Sequence, residues 1–146
     1  MSRKFVSFLS AGLLLAAHAF SMPGYSINGG ISTAQMTLSA VGVSPCVPVI
    51  SLVNYKTAAP PFLQPALLAF VSSGASLTYS VEVTGDDVLA PNYVSANGNF
   101  VAFTNMGGLT VSATATLGAA VTCVRLHVTS YTSGNVFLEV VQQTVN

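Results

Sequence analysis

The sequence predicts an all-β chain: an antiparallel β-sandwich, jelly-roll-like, of about eight short strands behind a separate apolar N-terminal leader. Three observations carry that expectation. Short β-rich runs alternate apolar and polar residues with period two. Clusters of Gly, Pro, Asn and Ser punctuate them roughly every ten residues. Helical periodicity is nearly absent after the leader.

The leader comes first. Arg3 and Lys4 precede the apolar run FVSFLSAGLLLAA, Phe5 to Ala17, and Ala17-His18-Ala19 follows in an A-x-A pattern. This is the layout of a secretory signal cleaved after Ala19. The run is too short and too interrupted by Ser and Gly for a membrane span. Met22 opens MPGYSINGGIST, so residues 1–21 also fit an upstream start ahead of the true initiator. Either way the expected division is 1–21 as leader and 22–146 as a single domain with a sizeable core. With the leader removed, Lys56 and Arg125 stand against Glu82, Asp86, Asp87 and Glu139, which is mildly acidic.

The strands are expected at Thr33–Val41, Val47–Val53, Ala66–Val71, Leu77–Thr84, Phe100–Thr104, Leu109–Leu117, Val121–Thr129 and Val136–Val141. In LTYSVEVT, Leu77, Tyr79, Val81 and Val83 share the inward face, opposite Thr78, Ser80, Glu82 and Thr84. In LTVSATATL, Leu109, Val111, Ala113, Ala115 and Leu117 are expected inward, with Thr and Ser outward, where β-branched side chains suit a pleated surface. Prolines make AAPPFLQP, Ala58 to Pro65, a rigid crossover or edge-covering loop. GDDVLAPNYVSANGN, Gly85 to Asn99, is a long polar loop.

The last two strands, joined by Ser133-Gly134-Asn135, predict a hairpin. Val124, Leu126 and Val128 would meet Val140, Leu138 and Val136 on the core side. That register sets Arg125 opposite Glu139 and His127 opposite Phe137 on the other face. Arg125, His127, Phe137, Glu139 and Val141 are therefore candidate interface residues, with Tyr93 and Tyr131 as aromatic anchors in loops. Cys46 and Cys123 are left with two readings. One is a disulfide; the other is a pair of buried reduced thiols, because Cys123 falls on the Arg125 face and not on the core face.

Composition limits the chemistry. Apolar residues make up 51% of the chain and charged residues 5%, with a formal net charge of zero. No basic field serves nucleic acid or anionic lipid, and so poorly charged a surface is expected to be covered by partners. No catalytic residue is assigned. His18 belongs to the leader, and His127 lies mid-strand without a nucleophile elbow in the sequence. No metal site or cofactor is expected: two cysteines cannot build a four-ligand zinc site. Asp86 and Asp87 lack calcium-loop spacing and read as turn residues. Gly29-Gly30 and Gly107-Gly108 match no phosphate-binding loop. There is no Trp to offer a sugar platform.

One resemblance adds to this. The run YSVEVTGDD, followed by NGNFVAFTNMGGLTVSATATLGAAVTCVRLHVTSYTSGNVFLEVVQ, resembles small virion-associated proteins of tailed bacteriophages. The likeness lies in VTGD at Val83–Asp86, the Asn-rich loop into the Thr/Ala strand, VRLHVTSYTSG, and the closing VVQ. It spans about Tyr79 to Gln143, and its motifs are structural. The resemblance implies a β-sandwich that decorates or cements a capsid, or sits on the tail. It would act as a homo-oligomer partnered by the major capsid or other virion proteins, located in the virion and without enzymatic activity. The leader supports an alternative: an exported bacterial adhesin or carbohydrate-binding protein, extracellular after cleavage near Ala19.

Overall fold

Period-two patterning becomes ten strands in a computed structural model that describes residues 24–28, 31–49, 64–118 and 121–143. They are β1 (Gly24–Asn28), β2 (Ile31–Leu38), β3 (Gly42–Val43), β4 (Val47–Pro48) and β5 (Ala66–Val71). β6 (Ser76–Thr84), β7 (Val101–Ala102), β8 (Ala113–Thr116), β9 (Cys123–Ser133) and β10 (Val136–Gln143) follow. Two antiparallel sheets form. One has the order β1-β2-β10-β5-β8; the other runs β3-β9-β6-β7, with β4 beside β3 along the same edge of β9. The chain is an all-β sandwich, as its alternation predicts. The leader, residues 50–63 and the proposed crossover up to Leu63 lie outside the described residues.

The core is what the alternation selects. Ala34, Met36 and Leu38 of β2, Leu67 and Ala69 of β5, and Val136, Leu138 and Val140 of β10 point in from one sheet. Leu77, Tyr79, Val81 and Val83 of β6 and Val124, Leu126 and Val128 of β9 point in from the other. Each fully buried Val, Leu or Met among them contributes roughly 1.5–3 kcal/mol of transfer free energy. Tyr79 also carries a hydroxyl inward. It donates to the Val111 carbonyl at 2.9 Å, and burial raises the phenol above its ordinary pKa.

The expected β9–β10 hairpin is not formed. Both core triplets are buried, but β9 pairs with β6 while β10 pairs with β2 and β5, in the opposite sheet. Arg125 therefore faces Glu82 across the ladder, not Glu139, and His127 faces Ser80, not Phe137. Ser133-Gly134-Asn135 turns the chain from one sheet to the other. A second corner, Ser72–Ala75 between β5 and β6, makes the same crossing beside it. The corners lock together: Ser72 N–H donates to Asn135 O at 3.0 Å, and Asn135 N–H to Ser72 Oγ at 3.0 Å. Gly134 adopts φ 88°, and a Cβ there would collide with Ala75, so only glycine fits. Two bulges also lengthen β9 beyond the predicted Thr129, since Thr78 pairs with Ser130 while Tyr79 pairs with Val128.

The predicted strand Leu109–Leu117 is only half regular. β7 pairs with β6 at Val101↔Val83, and Leu109 bridges Tyr79. Between them the chain bulges: Val81 accepts from Phe103 N–H and donates to Met106 O. Asn105 at φ 64° and Gly108 at φ 65° bend the segment so that Met106 plugs the core, fully buried. Val111 was expected inward and is instead 64% exposed, because its carbonyl, not its side chain, turns toward Tyr79.

Cys46 and Cys123 are joined by a disulfide, with Cα atoms 5.9 Å apart. The bridge does not cross the core. Val47 pairs with Val124 and both point inward, so the neighbouring cysteines meet on the outer side of one sheet. Ser44 completes this edge. Its hydroxyl accepts Leu126 N–H at 2.9 Å, and its own N–H donates to Leu126 O at 2.8 Å.

Candidate functional site

The polar chemistry of the described residues concentrates on the outer face of the β6–β9 pair. Alternation places Glu82 outward on β6, and Arg125 and His127 outward on β9; the ladder then sets Glu82 directly opposite Arg125. Glu82 Oε2 accepts from Arg125 Nε and Nη2, each at 2.7 Å. His127 Nδ1–H donates to Glu82 Oε1 at 2.7 Å. Arg125 and Glu82 keep 14% of their side-chain exposure and His127 keeps 32%. The Arg125 guanidinium carbon lies 3.5 Å from the Phe100 ring centroid, a cation–π contact. Burial alone would push the Glu82 carboxyl up. The hydrogen bonds from His127 and Arg125, with the charges behind them, outweigh that and hold it below its ordinary value.

Phe100 brings the loop after β6 into this cluster. The loop is the long connection expected at Gly85–Asn99, with a 3-10 turn at Ser95–Asn97. Its two ends are tied by Asp86, whose carboxylate accepts the Asn99 N–H at 2.7 Å and the Asn99 side-chain amide at 3.2 Å. The backbone bond first, and then the side-chain bond, lower the Asp86 carboxyl. Asp86 is thus a loop clasp, and Asp87 caps the following turn through Leu89 N–H. Tyr93 lies half-buried within the loop, its hydroxyl over Gly98, where a Cβ would collide with it.

The remaining candidate residues sit elsewhere. Phe137, Glu139 and Val141 occupy the outer face of the other sheet, so the single face predicted for them and for Arg125 and His127 is two faces on opposite sides of the sandwich. There Phe137 packs on Phe70 with ring centroids 6.2 Å apart, and Phe70 is 46% exposed. Leu68 and Val141 are half-buried beside them. Glu139 accepts a hydrogen bond from Gln35 Nε2 at 3.2 Å. Tyr131 packs against the core and donates its hydroxyl to Gly134 O at 3.1 Å, bracing the corner.

What this arrangement does chemically is bind itself. His127 is spent on Glu82, and its ladder partner Ser80 is buried with its hydroxyl accepting Gly108 N–H at 2.9 Å. Among the described residues no three His, Cys, Asp or Glu side chains gather to hold a metal ion. The Glu82 triad escapes sequence reading because its members are 43 and 45 positions apart. Only the β6–β9 pairing brings them together.

The lowered Glu82 value makes the triad an acid-sensitive clasp. A depressed carboxyl contributes stability that is fully present above its unfolded value and is lost as pH falls through the folded one. Glu82→Gln is expected to lower unfolding free energy at neutral pH by about 1 kcal/mol, the worth of charge-assisted bonds discounted for partial solvent access. Urea midpoints measured from pH 7 down through the carboxylate range should converge for the two proteins. A gap that stays constant with pH would contradict the ionised triad.

No family model, curated protein or solved structure matches the chain.

Proposed function

We propose that this chain is a non-enzymatic structural protein of a tailed-phage virion, decorating or cementing the capsid, or associated with the tail, through the outer surfaces of its sandwich. The observation that carries the reading is the outer face of the β10–β5 pair. Phe70, Phe137, Leu68 and Val141 form its apolar centre, and Glu139 is the charged residue among them. Apolar area of that kind stabilises a protein contact without giving up ion hydration, and aromatic side chains anchor such contacts. The resemblance over about Tyr79–Gln143 supplies the partner class: the major capsid or other virion proteins. Nucleic acid, membrane and cofactor have no part in this reading.

The test is mass spectrometry of density-gradient-purified particles. The chain should co-purify at a fixed ratio to the capsid protein, beginning at Met1 or Met22. A mature chain beginning at Phe20 in a bacterial secreted fraction would overturn the reading. The exported adhesin or carbohydrate-binding alternative is favoured by one observation, the Cys46–Cys123 disulfide, because such bonds persist in oxidising compartments. It requires export through Phe5–Ala17, so unchanged localisation of Leu14→Arg would eliminate it.

A further inference from the structure

The edges of the two sheets are treated differently. On one side of the β9–β6 sheet, Pro45, Pro48, Gly42 at φ 151° and the disulfide interrupt the edge. On the other side, the Met106 bulge bends it. Bulges and prolines are the usual means of blocking strand addition. β8, the edge beyond β5, carries neither. It reads Ala-Thr-Ala-Thr, and no charged residue occurs from Val88 to Val124.

The ladder fixes what this edge offers. Leu117 N–H donates to Pro65 O at 2.9 Å, and the register continues as Thr116↔Ala66, Ala115↔Leu67, Thr114↔Leu68 and Ala113↔Ala69. Hydrogen-bonded and non-hydrogen-bonded pairs alternate in an antiparallel ladder. Ala113 and Ala115 therefore direct their main-chain groups at β5, while Thr114 and Thr116 direct theirs outward. Both threonine side chains are exposed.

We propose that β8 is a self-pairing edge, joining two copies of this chain across a two-fold axis into one continuous antiparallel sheet. The register places Ala115 against its own counterpart. Thr114 then exchanges both main-chain hydrogen bonds with the partner's Thr116, and Thr116 with the partner's Thr114. Every open N–H and C=O of the two threonines is satisfied. Ala113, Ala115 and Leu117 stay on the inner face, and threonines stand beside threonines on the outer one, a favourable cross-strand pairing. A second copy is the occupant because the strand matches itself in face and in length. The absence of charge along it also removes the like-charge repulsion that would oppose an isologous contact. This inference does not depend on the virion reading, since it concerns the chain alone in solution.

Sedimentation equilibrium of the purified full chain tests it. The wild type should sediment as a dimer in reversible equilibrium with monomer. Thr114→Lys with Thr116→Lys sets like charges opposite in both symmetry-related pairs, and should raise the dissociation constant about tenfold or more. Thr114→Glu with Thr116→Lys sets opposite charges in the same pairs and should restore the dimer. Far-ultraviolet circular dichroism spectra of all three proteins should agree, because both positions are exposed. Melts are compared at a concentration where all three are monomeric, since dimerisation itself raises the melting temperature. A monomeric wild type, or a double-lysine variant that dimerises as well as wild type, would overturn the proposal. A Glu/Lys variant that stays monomeric would overturn the register.

Discussion

Replacing Cys46 and Cys123 together by alanine should lower the unfolding free energy by about 4 kcal/mol, the largest effect expected from any small change to this chain. The bond spans 77 residues of sequence. Cross-linking so long a loop removes much of the conformational freedom of the unfolded chain. The bridge also has a local task. β3 and β4 contribute only two residues each to the ladder with β9, yet Val47 and Val49 of this segment are core residues. Without the covalent tie, few hydrogen bonds hold them in place. The measurement is a pair of guanidinium titrations, one on the double variant and one on wild type with its cysteines reduced. Both should show the loss, which separates the cross-link from the removed side chains. Equal midpoints for oxidised and reduced wild type would contradict the bridge as a structural element.

The second large effect is expected at Met106. Truncation to alanine leaves a cavity among Met106's neighbours and should cost roughly 3 kcal/mol, within the range for large-to-small core changes. For a domain of this size that shifts the melting temperature by roughly 10 °C. Val111→Ala is the control, since Val111 is 64% exposed and should move stability by under about 0.5 kcal/mol. A plain alternation of the Leu109–Leu117 segment predicts the reverse order, with Val111 the costly site. Thermal melts of the two variants decide between these arrangements.

These cases mark where sequence reading succeeds and where it stops. Periodicity is a local signal, and where strands are regular it identifies the buried side chains: the inward sets of β6, β9 and β10 are buried as alternation requires. It fails where a bulge adds a residue, at Thr129 and between Phe103 and Gly108, because the face then switches without any change in composition. It also says nothing of which strand lies beside which. Ser133-Gly134-Asn135 has the composition of a hairpin turn and the conformation of a corner, and the difference is decided by Ser72 and Ala75, some sixty residues earlier in the chain. Arg125 and His127 were legible as a polar face. Their partner Glu82 was not, because the pairing that unites them is non-local. Glu139 is the acid nearest to them in sequence, and proximity along the chain favours it over Glu82.

The division of surfaces rests on one claim, that β9 and β10 belong to opposite sheets and do not pair. Backbone nuclear Overhauser effects test it directly. Cross-strand contacts are expected from the β9 residues Val124 and Leu126 to Val83 and Val81 of β6, and from Leu138 and Val140 to Met36 and Ala34 of β2. Backbone-to-backbone contacts joining Leu126 to Leu138 and Val124 to Val140 would contradict it, and would return Arg125 and Glu139 to a common face.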